Sequence, residues 1–402
     1  MVARAPAFLN VQPSSYSGWG LIGLNLLLEW TDDPSWLPVC LAPIDTHGLV
    51  VDGLGLARLA PLLAESRRFQ EDLLQKHAGG NVELTAPVLH ATGHGFGLGP
   101  AVHAVSVRGR PTVGLAVIEN SLIDGAAIEA ARAFTLLITA SRWNEELLRA
   151  AGIGHVRNVW QGIDRTLFHP APRSGWWRER FVVFSGGKLE YRKGQDLVLH
   201  AFRVFARRHP ESLLLTSWHS PWPQFARSLE TRTWVAPVPF TASGQADVRA
   251  WAVANGVDEH QFIDVGSVAN ALMPTILREA DVALFPNRAE GGTNLVAMEA
   301  MACGVPCILS RNTGHRDIMT APGDPEPNCY PLERQSAVPD VDGGGTDGWG
   351  ESDVEESVEA LEAVWRDRGE AATRAARGAA MMAELSWTAQ ARQLKEAIVN
   401  LQ

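Results

Sequence analysis

Cysteine is scarce in this chain. Cys40, Cys303, Cys307 and Cys329 stand scattered among 402 residues. No His pair lies near Cys303 and Cys307 with zinc spacing, so the sequence predicts buried, reduced thiols rather than a disulfide framework or a metal site. Long apolar runs are missing too. Stretches such as 113–118 and 135–140 fall far short of the roughly 20 residues a membrane helix needs. Basic charge is in deficit: the formal net charge is -10. That argues against a broad nucleic-acid or anionic-membrane surface and leaves room only for a local basic pocket. Residues 1–15 carry one Arg and no apolar core of signal-peptide length. These absences together predict a cytoplasmic protein with no transmembrane segment and no nucleic-acid partner.

What is present is ample core material. The chain is 46% hydrophobic and 20% charged, a balance that fills cores and excludes wholesale disorder. Its length suggests two or three domains. Its 14 Trp suit sugar and aromatic sites as well as core and rim positions.

Read in order, residues 8–11 form an apolar strand, 12–20 a polar loop and 21–30 an apolar helix. Strand, glycine loop and helix open a mononucleotide-binding unit. The Gly18-Trp19-Gly20 turn is a candidate for close approach of a ligand, or simply a tight turn. Strands are expected over 38–43 and 82–90, and a helix over 59–76. The glycines at 95, 97 and 99 are followed by Pro100, which does not match a dinucleotide fingerprint opening a helix. A strand over 112–118 ends in Glu119 and Asn120, and a carboxylate at the carboxyl end of a parallel strand lies where α/β ligands bind. Another strand, 136–140, leads to Ser141, which caps a helix.

The segment 169–177 is rich in Pro and Gly and reads as an interdomain linker. A second strand–loop–helix opening comes next: strand 181–184, loop 185–194, helix from Asp196. A Trp- and Pro-rich excursion, 217–244, is longer than a usual connection. Strands 261–265 and 282–285 bracket a helix, 322–350 reads as an irregular acidic loop, and three helices close the chain. Two successive alternating runs of strands and helices predict two doubly wound α/β domains facing a central cleft.

The densest signal is 289–309. Residues 290–294 make a polar, glycine-rich turn, and 295–303 read as a helix of good formers stopped by Gly304. Thr293 or Asn294 is its N-cap. Glu299 is out of place in this helix, among Leu295, Val296, Ala297, Met298, Ala300, Met301 and Ala302. A buried Glu is costly unless paired. It either pairs with a core Arg or a backbone N–H, or accepts ligand hydroxyls beside a helix N-terminus that suits an anion. Lys188 and Lys193 flank a glycine-bracketed loop at the end of another strand, and two lysines with a helix N-terminus can hold a diphosphate without a metal. No Asp-x-Asp signature stands at a strand end, so no metal and no cofactor are expected.

These residues carry a resemblance. The segment GGKLEYRKG (186–194) resembles the glycine-Arg/Lys, then Lys-Gly signature of family 4 retaining glycosyltransferases. EGGTNLVAMEAMACGVP (290–306) resembles their Glu–x7–Glu segment. QGID (161–164) is similar to the Asn-Gly-Val-Asp before their linker, and ASRWNEELLRAAGI (140–153) to their Ser–Glu–Trp helix. The resemblance implies the GT-B fold: an N-terminal Rossmann-like acceptor domain, 1–170, a C-terminal Rossmann-like donor domain, 178–384, and a terminal helix, 385–402, that crosses back to the first. It implies that Lys188 and Lys193 hold the diphosphate of a nucleotide-sugar co-substrate, with Gly187 beside them. Glu299 takes ribose hydroxyls. Glu290, Gly291, Gly292, Thr293, Asn294 and Leu295 face the donor sugar and phosphate. Glu119 lies on the acceptor side, where Gly18, Trp19, Gly20, His90 and His94 line the cleft; a lone His is as readily a structural hydrogen-bonder.

Two departures stand out. Lys188 replaces the usual Arg. Eight residues separate the two glutamates where the family has seven, so either a longer turn lets Glu290 reach the sugar, or Thr293 or Asn294 takes that role. The implied chemistry is retaining transfer of a sugar to an acceptor hydroxyl, driven by fixed positive charge at the leaving diphosphate. A nucleotide-sugar epimerase of the same fold would instead release free UDP without transfer to an acceptor. A silent nucleotide- or sugar-binding partner protein would show no donor turnover.

Overall fold

The computed structural model describes residues 4–99, 101 and 105–401. The chain divides into two compact units, one of Met1–Gly162, Ala269–Ala271 and Leu385–Gln402, the other of Ile163–Val268 and Leu272–Glu384.

The first unit begins β1 (Ala5–Asn10), α1 (Gly18–Thr31), β2 (Trp36–Cys40) and α2 (Gly53–His77). It continues β3 (Asn81–Glu83), β4 (Val88–Thr92), β5 (Ser106–Arg108) and β6 (Thr112–Ala116). Then come α3 (Gly125–Ala131), β7 (Leu136–Thr139), α4 (Arg142–Ala150) and β8 (Val156–Asn158). Six strands form one parallel sheet in the order β2-β1-β4-β6-β7-β8. β3 and β5 make a separate parallel pair, so the single strand expected over 82–90 is two strands in two sheets. Between them run Leu84 to Pro87, where Ala86 and Pro87 turn their carbonyls to Arg110 and Phe8.

The second unit begins β9 (Phe181–Gly186), α5 (Gln195–Arg208), β10 (Ser212–Ser217), α6 (Val248–Ala254) and β11 (Phe262–Asp264). It continues α7 (Met273–Leu277), β12 (Val282–Phe285), α8 (Leu295–Ala302) and β13 (Cys307–Ser310). β14 (Tyr330–Leu332), β15 (Gln335–Ser336), β16 (Glu351–Ser352), α9 (Val354–Arg366) and α10 (Arg368–Glu384) complete it. The sheet order is β11-β10-β9-β12-β13-β14, all parallel. This is the 3-2-1-4-5-6 order of a dinucleotide-type Rossmann unit, in which the connections change direction between the first strand and the fourth. β14, an edge strand, and β15 lie inside the stretch expected to be irregular, and β15 pairs with β16 just past its end. The sequence hides them because each spans only two or three residues, too few for a period to show.

The strands read as continuous apolar runs because helices cover both faces of a parallel sheet. β9, β12 and β13 are buried at every position. Phe202, Phe205, Trp218 and Trp251 fill a core of the second unit. All four cysteines are buried and free. Burial pushes the thiols of Cys40, Cys303 and Cys329 up to about 12, so they are protonated and unreactive.

The last helix, α11 (Trp387–Val399), packs on the first unit although it follows the second in the chain. The Trp30 indole donates to the Ala391 carbonyl at 3.4 Å. Lys395 places its ammonium 2.6 Å from both Asp33 oxygens. A Cβ at Gly162 would lie 2.5 Å from the Trp387 Cα, so only glycine lets the chain pass there. Among the described residues, no helix is long and apolar enough to cross a membrane.

Candidate functional site

The site of interest grows from the loops that leave β9 and β12, the adjacent strands at which the second sheet changes connection direction. Open α/β sheets bind ligands beyond the carboxyl ends of such strands.

The loop after β9 starts at Gly187, whose φ is 120°, a conformation in which side chains are strained. Its N–H donates to the Ser217 carbonyl at 3.1 Å. Lys188 comes next, about one third exposed, with its ammonium 3.6 Å from Glu190 and 5.9 Å from the ring centres of Trp222 and Phe225. One short helical turn, Tyr191–Lys193, carries the chain to Gly194. Gly194 has φ 69°, and a Cβ there would lie 2.5 Å from the Pro286 carbonyl oxygen. This contact presses the β9 loop against the β12 loop and explains the Lys-Gly pair.

The β12 loop is anchored by Arg288, whose side chain is fully buried. Its guanidinium makes two hydrogen bonds to Asp196, at 2.9 and 2.6 Å, one to Glu351 at 2.8 Å and one to the Tyr191 carbonyl at 2.6 Å. A planar fork of donors is what such a junction requires. Burial works against the charged guanidinium, but Asp196 and Glu351 hold its pKa well above the ordinary value.

Glu290 lies beyond this anchor, 4% exposed. Its carboxylate accepts from Lys193 at 2.5 Å, from Arg192 at 3.1 Å and from the Asn287 amide. Burial pushes the carboxyl up, yet Lys193, Arg192 and His315 outweigh it and bring it down to about 2. Burial pulls the Lys193 amine below its ordinary value while Glu290 pulls it back. With two cations against one carboxylate, the pair is ionised. Arg192 also reaches Glu190 at 2.5 Å and the Ala289 carbonyl at 2.9 Å.

The backbone of this turn is held from below. The Glu290 N–H donates to Thr313 Oγ1 at 2.7 Å, and Gly314 N–H to the Glu290 carbonyl at 3.0 Å. A Cβ at Gly314 would meet the Gly292 carbonyl oxygen at 1.8 Å, so no larger residue fits. Thr293 turns its hydroxyl to the Met298 sulfur at 2.9 Å. Asn294 caps α8 from φ 61°, accepting the Ala297 N–H at 3.4 Å. Its amide donates to His315 Nε2 at 2.9 Å, and His315 Nδ1 lies 3.0 Å from Ser310 Oγ. The network therefore assigns His315 the neutral tautomer with the proton on Nδ1. Burial agrees, bringing this imidazole down to about 4. Asn294 and Thr313 (φ 37°) are non-glycine residues with positive φ; backbone strain of about 1–3 kcal/mol each persists where surrounding structure over-determines it, commonly at functional sites.

Leu295 and Glu299 lie on α8, both buried. All of α8 but Val296 is buried, which is why Glu299 shows no polar face in the sequence. Lys188, Lys193, Glu290 and the turn 291–295 thus come from two adjoining loops of one unit. Arg192, Arg288 and His315 join them and were not singled out by sequence. Arg192 stands within the quoted signature, beside Lys193. Arg288 precedes Glu290 by two residues, and His315 carries no local signal.

In the first unit the sequence-chosen residues fare differently. Gly18, Trp19 and Gly20 are not a loop: they form the first turn of α1, capped by Ser17, which accepts from Gly20 N–H at 3.1 Å. The reason for glycine at 20 is packing, since a Cβ there would lie 2.4 Å from the Ser14 Cβ. His90 does not line a surface. It is 0% exposed within β4, with Nδ1 3.2 Å from the Asn10 amide and its ring edge-on to Phe134. Burial brings it down to about 4, so it is a neutral core residue. His94 sits half-buried in the turn after β4. Glu119 stands just past the end of β6 and is half-buried. The backbone before it is pinned by Asn144, whose amide both accepts from and donates to Ile118 at 2.8 Å.

The carboxyl edge of the first sheet also holds an apolar pocket, lined by Trp19, Leu115, Ile138, Trp160, Trp387 and Leu394 among others. Arg142 lies 5.2 Å from the Trp160 ring centre at its margin.

Two parallel-sheet Rossmann-like units make this a GT-B fold, and solved structures agree. Sucrose-phosphate synthase from Thermosynechococcus elongatus matches with a TM-score of 0.63 at 16% identity, covering 99% of each chain. The Anabaena protein Alr3699/HepE in complex with UDP and glucose matches with a TM-score of 0.60 at 15% identity, covering 99% of this chain and 100% of that one. At such identity these show the fold alone. Residues 178–394 match the model described as family 4 glycosyltransferase in conflict systems, and the chain belongs to that family. A GDP-mannose-dependent alpha-(1-6)-phosphatidylinositol monomannoside mannosyltransferase of Mycolicibacterium smegmatis is 29% identical over 194 residues, 45% of this chain and 44% of that relative. The match thus spans less than half of that protein's length.

Proposed function

We propose that the protein is a retaining, metal-independent glycosyltransferase that moves a sugar from a nucleotide-diphosphate donor to an acceptor hydroxyl. The observation that carries this reading is the convergence of Lys188, Arg192 and Lys193 with the N-terminus of α8 beyond the carboxyl ends of β9 and β12. Fixed cations and the backbone N–H groups of a helix start, at a Rossmann switch point, suit a diphosphate. The Anabaena protein that shares the fold is in complex with UDP and glucose, which supports a nucleotide as ligand.

In this reading Lys193 and Lys188 stabilise the charge that grows on the departing diphosphate. The sugar gains oxocarbenium character and the acceptor oxygen attacks from the same face. The C–O bond to the donor phosphate breaks, a new one forms to the acceptor, and the acceptor proton leaves with the diphosphate. Catalysis is then positioning and preorganised charge rather than covalent chemistry. Glu299 takes the ribose hydroxyls, and Gly291, Gly292 and Asn294 offer the turn that borders phosphate and sugar. The cations of the loop supply the charge a metal would otherwise bring.

The test is donor turnover by purified protein with UDP-, GDP-, ADP- and TDP-sugars, with and without EDTA. Release of one nucleoside diphosphate, unchanged by EDTA, and an acceptor glycoside with the donor's anomeric configuration by NMR are expected. Inversion at the anomeric carbon or loss of turnover with EDTA would overturn the respective part. Product without transfer to any acceptor would favour an epimerase, and no turnover with any donor a silent binding protein.

A further inference from the structure

The cations that would receive a diphosphate are already occupied. Lys193 and Arg192 are 10% and 7% exposed at their side chains, and both point their donors at Glu290. The loop cluster carries three cations (Lys188, Arg192, Lys193) and two carboxylates (Glu190, Glu290), a sum of +1. Asn287 donates to the same carboxylate, so Glu290 holds a cradle of three donors. Such a cradle is what a phosphate oxygen seeks. We infer that Glu290 is a resident anion that occupies the phosphate cradle of Lys193, Arg192 and Asn287, competes with the diphosphate of an incoming nucleotide, and thereby sets the affinity of the site. This rests on the donor-site reading above and adds to it a determinant of how tightly the donor and the released nucleotide are held.

The physical reasoning is electrostatic exchange. A nucleoside diphosphate cannot bond Lys193 fully while Glu290 stays on it at 2.5 Å. Binding must draw at least one cation away from the carboxylate, or bring a second anion beside it. Either costs free energy that weakens the complex. The same competition favours release of the nucleoside diphosphate after transfer, because Glu290 can reclaim the cations. Replacing Glu290 by an isosteric neutral amide raises the cluster's sum from +1 to +2 and removes the competitor.

The experiment measures UDP, GDP, ADP and TDP binding by calorimetry, without sugar, for wild type, Glu290→Gln, Glu290→Asp and Lys193→Ala. Whichever of the four nucleotides binds wild type is expected to bind Glu290→Gln at least tenfold tighter, and Glu290→Asp, with its charge drawn back by one methylene, by an intermediate factor. The melting-temperature rise on adding that nucleotide is expected to be larger for Glu290→Gln than for wild type, because the variant starts with unneutralised buried cations. Equal or weaker binding by folded Glu290→Gln, with Lys193→Ala defective, would overturn the resident-anion inference alone. If none of the four nucleotides binds wild type, or Lys193→Ala binds as well as wild type, the donor-site reading itself falls. Should Glu290→Gln not fold, Glu290→Asp decides: tighter binding supports the inference and unchanged or weaker binding overturns it.

Discussion

The carboxyl edges of the two sheets are built from opposite materials. In the first unit, Trp19, Trp160, Trp387 and Leu394 enclose an apolar pocket beside Arg142. In the second, five charged side chains within two loops contact one another, four of them from a stretch of six residues, 188–193. Both edges sit on parallel sheets of six strands, so the fold does not dictate the difference. It comes from the segments that leave the strands. Directly after β6 and β7, Val117 and Ala140 line the pocket together with Trp387 and Leu394 of α11. After β9 and β12 it turns through glycines that bring charged loops within 2.5 Å of each other. An apolar edge gains its stability by excluding water; a charged edge gains specificity for an anion at a cost in desolvation.

The comparison breaks most sharply at Trp387. Trp387→Ala removes the ring that seals the first unit's pocket and that stacks over Gly162. A loss of about 3–5 kcal/mol in stability is expected for a large aromatic truncated in a core. Chemical denaturation monitored by fluorescence reads it. Nucleotide binding by the folded fraction should stay close to wild type if the charged edge alone holds the nucleotide. A large drop in nucleotide affinity at unchanged stability would place Trp387 in the binding site instead.

Lys193→Ala strikes the other edge. It should lower donor turnover by about 10²–10³, the usual scale for removing one preorganised charge donor at a transition state. Because it leaves Glu290 with Arg192 and Asn287, the fold should survive. Near-normal turnover in an endpoint assay of nucleoside diphosphate would show that the loop charge is structural.

The materials of the two edges also decide how legible each is in the sequence. The second unit announces itself, because its loops need glycine at 187 and 194 and its cations lie next to them in the chain. Periodicity and signature therefore coincide there. Its supporting layer is silent: Arg288 meets Asp196 from 92 residues away, and His315 meets Asn294 from 21. Such partners are chosen by the sheet order and not by local pattern. The first unit misleads for a related reason. Gly18-Trp19-Gly20 has the composition of a ligand loop, but Ser17 offers a cap and the helix starts earlier. His90 has the type of a catalytic residue, but it occupies an inward position of a central strand. A polar residue in an apolar run is informative only once its strand's neighbours are known.

Acid should sharpen the contrast within one titration. His90 in the first unit and His315 in the second are both buried and brought down to about 4. In each case the unfolded chain takes up a proton near pH 6.5 and the folded one does not. Stability is therefore lost as pH falls from about 6.5 towards 4, with a slope of up to about 1.4 kcal/mol per pH unit for each group. Asp33 and Glu290 are brought down to about 2, against burial, by Lys395 and by Lys193 with Arg192 respectively. Their contribution is whole above their unfolded values and is lost only as pH falls further, towards 2. Urea midpoints at pH 7, 5.5 and 4 check the first window. His90→Asn and His315→Asn should each flatten the fall between pH 6.5 and 4; an unchanged slope in both would show that the imidazoles are not buried neutral.

The smallest expected effect lies at Glu299, where the two edges pose the same question. A buried Glu in a helix with no polar face must have a reason. If ribose hydroxyls are that reason, Glu299→Gln keeps the shape, exchanges a charged acceptor for a neutral one and weakens nucleotide binding about tenfold, near 1.4 kcal/mol. Stability without nucleotide should change little, because a neutral amide is cheaper to bury than a carboxylate. If instead Glu299 serves the core, the opposite pattern appears: denaturation midpoints fall and nucleotide affinity per folded molecule does not. Calorimetry and a denaturation curve on the same preparation separate the two. The outcome also bears on the comparison of edges, since a purely structural Glu299 would confine recognition in the second unit to the phosphates. The charged edge would then be an anion site with no means of telling a ribose from any other alcohol.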